Sequence, residues 1–251
     1  MKASADGCGC FPTGRHYAGI AHLLRLKVVG AAEELAIDAQ WIDLPIVLID
    51  TETTGRDPAV DRIVEIGLIL GRGGEIVERR NWLVNPEMPI PEEVSKIHGI
   101  TDAEVADKPT FREIAGEIVE FLRGALPGAY NATFDRNFVF EEMRRAKIEL
   151  GASAPPALRH GVEWVDPLVW ARQIQRDEKS KALGEVCARL GIPLENAHRA
   201  SDDAEAALRV LYILGQDQQV PRTYGGLVQE QRRLARAQEE EFKLWRANRP
   251  S

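Results

Sequence analysis

Two acids, two residues apart, close an apolar run. Pro45-Ile46-Val47-Leu48-Ile49 leads directly into Asp50-Thr51-Glu52-Thr53-Thr54-Gly55. Four branched apolar residues behind a proline predict a buried central strand. Residues i and i+2 of a strand share a face, so Asp50 and Glu52 leave its carboxyl end side by side. Carboxylates that close disfavour each other's ionisation unless a cation sits between them. A solvated turn would also account for the pair, but the carboxyl ends of strands are where α/β sheets gather ligands. The second acidic element is Asp135, which follows the short strand expected over Gly128-Ala129-Tyr130-Asn131-Ala132 and opens a helix as its N-cap. Capping leaves a carboxylate with lone pairs to spare for a metal. The third group is His198-Arg199-Ala200-Ser201-Asp202-Asp203. Here Ser201 or Asp202 is expected to cap a helix, with Asp203 in its first turn and His198 in the approach loop. Each feature alone has an ordinary structural reading as a turn, a cap or a surface histidine. Two divalent cations, Mg²⁺ or Mn²⁺, explain all three together. Such ions favour carboxylate, water and phosphate oxygens. A pair roughly 4 Å apart activates a water and steadies the leaving oxygen of a phosphodiester. Histidine titrates near neutrality and can take that water's proton.

The surrounding pattern supplies the scaffold. Strands are expected over Arg62–Leu70 and from Glu75 to about Val84, joined by a short Gly-rich link that suits a hairpin. Pro91-Glu92-Glu93 starts a helix. Phe111, Ile114, Ala115, Ile118, Val119 and Leu122 form a helical stripe, as do Phe138, Val139, Met143 and Ala146 after Asp135. Val162–Val165 is expected as a fifth strand, and Asp166 as the cap of the helix that begins at Pro167. Leu183, Val186, Cys187 and Leu190 line one further helix; Ala204, Ala207, Leu208, Leu211 and Tyr212 line another. The order, three strands and then alternating helices and strands, gives an α/β fold with an antiparallel edge and some parallel pairing. Residues 45–215 form this domain. Residues 1–44 are an extension expected to hold one amphipathic helix from about His16 to Asp38, and residues 216–251 are a charged helical tail with a Glu239–Lys243 pair. Cys8, Cys10, His16 and His22 offer four zinc ligands in a spacing that fits no finger pattern. Gly71-Arg72-Gly73-Gly74 lacks the Lys-Ser/Thr of a phosphate loop.

Composition bounds the function. With 32 basic and 39 acidic residues the formal net charge is −7, which argues against gripping nucleic acid through a broad basic face but not against acting on it through bound cations. Three cysteines cannot build a disulfide framework, and the first residues lack the apolar stretch of a signal peptide, so a reducing cytoplasm is expected. No apolar run approaches the roughly 18 residues of a membrane span.

The three acidic groups together resemble the motifs of the DEDDh 3′–5′ exonucleases, the DnaQ-like family that includes the proofreading exonuclease subunit of bacterial DNA polymerase III. Asp50-Thr51-Glu52-Thr53-Thr54-Gly55 matches the first motif, Asn131-Ala132-Thr133-Phe134-Asp135 resembles the second, and His198 with Asp203 has the spacing of the third. Ile97-His98-Gly99-Ile100-Thr101 resembles a segment found between the first two. The resemblance implies a ribonuclease H-like five-stranded mixed sheet with helices on both faces. It implies metal ligation by Asp50, Glu52, Asp135 and Asp203, with His198 as general base, and it places Thr53, His98 and Phe134 near the terminal nucleotide. Phe134 also reads as a core aromatic, and His98 as a helix-terminal histidine before Gly99. The implied reaction releases nucleoside 5′-monophosphates from single-stranded 3′ ends, of DNA rather than RNA, with a polymerase subunit as partner. RNA trimming, oligoribonuclease-type activity and a non-catalytic nucleic-acid-binding module on the same fold are the alternatives. Gln216-Asp217-Gln218-Gln219-Val220 yields no convincing sliding-clamp motif.

Overall fold

The computed structural model describes residues 28–148, 151–194 and 197–248. Strands β1 (Ile46–Thr53), β2 (Ile63–Arg72), β3 (Glu75–Leu83) and β4 (Leu126–Gly128) form one mixed sheet in the order β3-β2-β1-β4. The β1–β2 and β2–β3 pairs are antiparallel, and β1–β4 is parallel. Arg72 faces Glu75 across Gly73 and Gly74, whose φ values are 62° and 86°. A two-residue hairpin with positive φ at both positions calls for glycine.

Helices cover both faces of the sheet. They are α1 (Glu92–His98), α2 (Asp102–Val105), α3 (Phe111–Phe121), α4 (Thr133–Ala146), α5 (Pro167–Ile174), α6 (Leu183–Leu190), α7 (Ala200–Leu214) and α8 (Tyr224–Ala247). β1 shows how the alternation works. Val47 and Ile49 pack in the core made with α3 and α4, while Ile46 and Leu48 pack in the core made with α5 to α8. All four are fully buried, each contributing on the order of 1.5–3 kcal/mol. The same alternation carries Asp50 and Glu52 to the α7 face and Thr51 and Thr53 to the α4 face.

Four expectations are corrected. The sheet has four strands rather than five, because Val162–Val165 is reduced to one parallel bridge between Gly128 and Val165. The ladder stops there since the Asp166 N–H is taken by Gln231 Oε1 (2.8 Å) and Pro167 has no N–H to offer. The strand expected over Gly128–Ala132 ends at Gly128 for a related reason: the N–H groups of Asn131 and Ala132 go to the Asp166 carboxylate, both at 3.0 Å, with Asn131 at φ 69°. The described part of the expected N-terminal helix, residues 28–38, is a series of turns. Gly30, at φ 98°, accepts a hydrogen bond at its carbonyl from Glu163 N, and Ala32 N donates to the Tyr224 hydroxyl. The remainder of that helix, with Cys8, Cys10, His16 and His22, lies outside the described residues. Helix capping also differs: Asp135 lies in the first turn of α4 behind Ala132, and Ser201 and Asp202 lie inside α7 behind Arg199.

The two ends of the described chain close over one another. Ala32, Leu35 and Trp41 join Tyr224, Leu227, Val228 and Leu234 in the core shared with Ile46 and Leu48. The first half of the expected tail is therefore part of the domain's packing, while Phe242, Leu244 and Trp245 at its far end are exposed. The Glu239–Lys243 pair forms at 2.6 Å. Among the described residues no helix is long and apolar enough to cross a membrane.

Candidate active site

The site lies where β1, β2, α4 and α7 meet. Asp50 and Glu52 project from β1 toward the start of α7, which carries Asp203 in its first turn. Asp135 arrives from the opposite face. Its Oδ1 accepts hydrogen bonds from Thr51 N (2.9 Å) and Thr51 Oγ1 (2.8 Å), so the residue between the two strand acids ties the third acid to them. Helix α4 is pinned again farther along, where Glu142 pairs with Arg62 at 2.7 Å. Asp166 does what its sequence position suggested and more. It caps α5 through Leu168 N (2.9 Å) while its two oxygens hold the turn that launches α4.

α7 can approach the sheet this closely because of glycine. Glu65, Gly67, Ile69 and Gly71 lie on one face of β2. A Cβ on Gly67 would sit 2.4 Å from the Ala200 and Ser201 backbone, and one on Gly71 would sit 2.3 Å from the Tyr212 hydroxyl. The helix start is thus seated directly on the strand opposite Asp50, whose register partner is Gly67.

The acids bear the electrostatic signature of confinement. Burial, then the charges of Asp135, Asp203, Glu52 and Glu65, hold the Asp50 carboxyl well above the usual carboxylate range. Glu52 is pushed up to about 8 by burial and by Asp203, Glu65 and Asp135, with Arg199 opposing. Asp135 is pushed up to about 7 by burial, which outweighs its bonds from Thr51. Asp203 is also raised by burial, against the N–H of His198, which donates to its Oδ2 at 3.1 Å. Four carboxylates that each resist ionisation form a cluster whose missing complement is positive charge. The donor set fits a divalent cation. Oxygens of Glu52 and Asp203 and a ring nitrogen of His198 lie within 4.8 Å of one another. Ligands on opposite sides of an octahedral Mg²⁺ stand roughly 4 Å apart. His198 is exposed, at φ 69°, and its ring is among the atoms within reach of an ion rather than set behind them.

The expected nucleotide contacts line the same region. Thr53 is buried at the end of β1, and its hydroxyl donates to the Gly55 carbonyl. His98 is also buried; it closes α1 before Gly99 at φ 75°, and its Nδ1 accepts from Ile100 N at 3.0 Å. Burial holds its ring below the usual histidine range against the nearby Thr53 backbone and Glu65. Phe134 is half-buried, with its ring 4.9 Å from that of Phe138, so it is both a core contact and a partly open aromatic face beside Asp135.

Glu65 was missed. It is fully buried, and the available signal was a lone charge inside the apolar run Ile63-Val64-Glu65-Ile66-Gly67-Leu68.

Residues 47–211 match the RNase T family of exonucleases. The chain belongs to the DnaQ-like exonucleases. Among curated relatives, the PolC-type DNA polymerase III of Clostridium perfringens is 34% identical over 165 residues, covering 66% of this chain and 11% of that protein. The PolC-type DNA polymerase III of Thermotoga maritima is 31% identical over 196 residues, covering 76% and 13%. The chain therefore spans only about an eighth of the length of these relatives. Two solved structures share its fold. Exonuclease X in complex with 5′ overhanging duplex DNA has a TM-score of 0.55 at 24% identity, covering 73% of this chain and 99% of the other. E. coli exonuclease I in complex with a dT13 oligonucleotide has a TM-score of 0.60 at 22% identity, covering 70% and 42%. The exonuclease domain is accordingly ribonuclease H-like, with its mixed sheet between two helical layers.

Proposed function

We propose that this exonuclease domain removes nucleoside 5′-monophosphates from the 3′ ends of single-stranded DNA, using two divalent cations, Mg²⁺ or Mn²⁺, held by Asp50, Glu52, Asp135 and Asp203. The reading rests on one observation above all: these four carboxyls are gathered in a site whose burial holds each of them above its ordinary range, with the His198 ring beside two of them. The bound cations would polarise the scissile phosphate and its attacking water and stabilise the departing 3′ oxygen. His198 accepts the water's proton at an imidazole nitrogen; its exposure leaves the ring open to solvent for releasing that proton afterwards. Thr51 keeps Asp135 aimed at the cluster. Thr53, His98 and Phe134 hold the terminal nucleotide, Phe134 through a stacking face that tolerates any base. The PolC-type relatives favour DNA and a polymerase partner.

Digestion of 5′-labelled DNA and RNA oligomers of one sequence, with Mg²⁺ and with chelator, tests the proposal. A ladder shortening from the 3′ end, faster on DNA and abolished by chelator, is expected. Cleavage that persists in chelator, shortening from the 5′ end, or preference for RNA would each overturn the corresponding part. Replacing His198 by Ala is expected to lower kcat roughly 10²–10⁴-fold under saturating Mg²⁺; near-full activity would remove it from the role of base.

A further inference from the structure

Glu65 faces Glu52 directly across the β1–β2 ladder. Like charges opposite each other in a sheet destabilise it, and a fully buried glutamate is costly unless paired. Both costs are met by one set of contacts. Arg199 forks onto Glu65, with Nη2 2.7 Å from Oε1 and Nε 3.1 Å from Oε2. Asn81 Nδ2 donates to Oε1 (2.8 Å), and Ala200 N donates to Oε2 (3.1 Å). Each oxygen thus accepts at least two hydrogen bonds, which fills a carboxylate's lone-pair sites and leaves none for an ion. The same contacts hold the Glu65 carboxyl below its ordinary range despite burial.

The groups bound by Glu65 identify its task. Arg199 is the N-cap of α7, and Ala200 is the first residue of that helix. His198 directly precedes them, at φ 69°, in a left-handed conformation unfavourable for a residue with a side chain. Its own N–H is held by Asp203. A strained residue persists only where its surroundings over-determine it.

We infer that the Glu65–Arg199 pair is a positioning device that fixes His198 and the start of α7 relative to the β1 carboxylates, and that Glu65 is not a metal ligand. The inference builds on the assignment of His198 as the base. It adds a residue that touches neither substrate nor ion and acts through the backbone of the helix start. Arg199 turns its Nε and Nη2 to Glu65, which gives the guanidinium a structural task at the helix start.

The test compares Glu65→Gln, Arg199→Gln and the double variant in the full chain. Steady-state digestion of a single-stranded DNA oligomer should show kcat lowered roughly 10- to 100-fold in each single variant, the cost of a slightly misplaced base. KM should stay within about threefold, because the interaction is not a binding contact. The double variant should be no slower than either single, since both break one unit. Amide exchange in chelator supplies a readout that needs no turnover. Exchange at residues 198–200 should rise at least about tenfold in Glu65→Gln, while β1 and α4 stay protected. Additive losses, or a salt-dependent rise in KM for Arg199→Gln alone, would make Arg199 a substrate contact and overturn the inference. Unchanged kcat with unchanged exchange would overturn it as well. If the wild-type chain digests no polymer, the exonuclease assignment fails separately, and the exchange result still decides whether Glu65 holds this loop.

Discussion

Replacing Glu52 by Gln should stabilise the cation-free domain, by an amount that grows as the pH rises from about 5 and levels off above about 8. In the folded chain Glu52 is raised from 4.5 to about 8, first by burial and then by Asp203, Glu65 and Asp135. Between those two pH values the folded chain keeps a proton that the unfolded chain has already released. Stability therefore falls as the pH rises through this window. A shift of that size corresponds to ~5 kcal/mol. The carboxylate is only partly buried, so solvent screening reduces the usable figure to about 2 kcal/mol. Glutamine has nearly the same shape and no charge to suppress. The variant should match wild type near pH 5 and melt roughly 4–8 °C higher near pH 9 in chelator. Mg²⁺ or Mn²⁺ should reverse the order, because an ion that binds only the folded chain stabilises it by mass action and wild type binds it better. Thermal melts at five pH values between 5 and 9, with chelator and with Mg²⁺, measure all of this. A stability difference independent of pH, or a wild type that gains nothing from either ion, would refute the claim that confined negative charge defines the site.

Two further outcomes follow from the scaffold. Gly67→Ala should push the start of α7 off the sheet, since the added carbon lands 2.4 Å from the Ala200 and Ser201 backbone; an expected loss of about 1–3 kcal/mol, seen by denaturant unfolding, should accompany a drop in digestion rate. Asp166→Ala should leave the N–H groups of Asn131, Ala132 and Leu168 without their acceptor and cost roughly 3 kcal/mol; a melting temperature within a degree of wild type would show that water replaces the carboxylate at no cost.

Much of the domain was legible in order and spacing. Apolar alternation in Ile46–Ile49, the Gly73-Gly74 hairpin and the stripes now seen in α3, α4, α6 and α7 are local properties, governed by periods of two and 3.6 residues and by φ preference. Asp50 and Glu52 had to share a face because they are two apart on a strand. Sequence could not decide where backbone donors go when two segments compete for them. The Asp166 carboxylate captures Asn131 and Ala132, which shortens β4 and leaves Val165 as a bridge. Residues 28–38 lose their expected helix to contacts with Glu163 and Tyr224, more than 130 positions away. Glu65 stands opposite Glu52 only because of strand register, and Arg199 reaches it only because Gly67 lets α7 descend onto the sheet. Local pattern specifies which side chains one element presents together. Whether acids drawn from β1, β2, α4 and α7 then repel, share a cation or find an arginine depends on distances that exist only once those elements have packed.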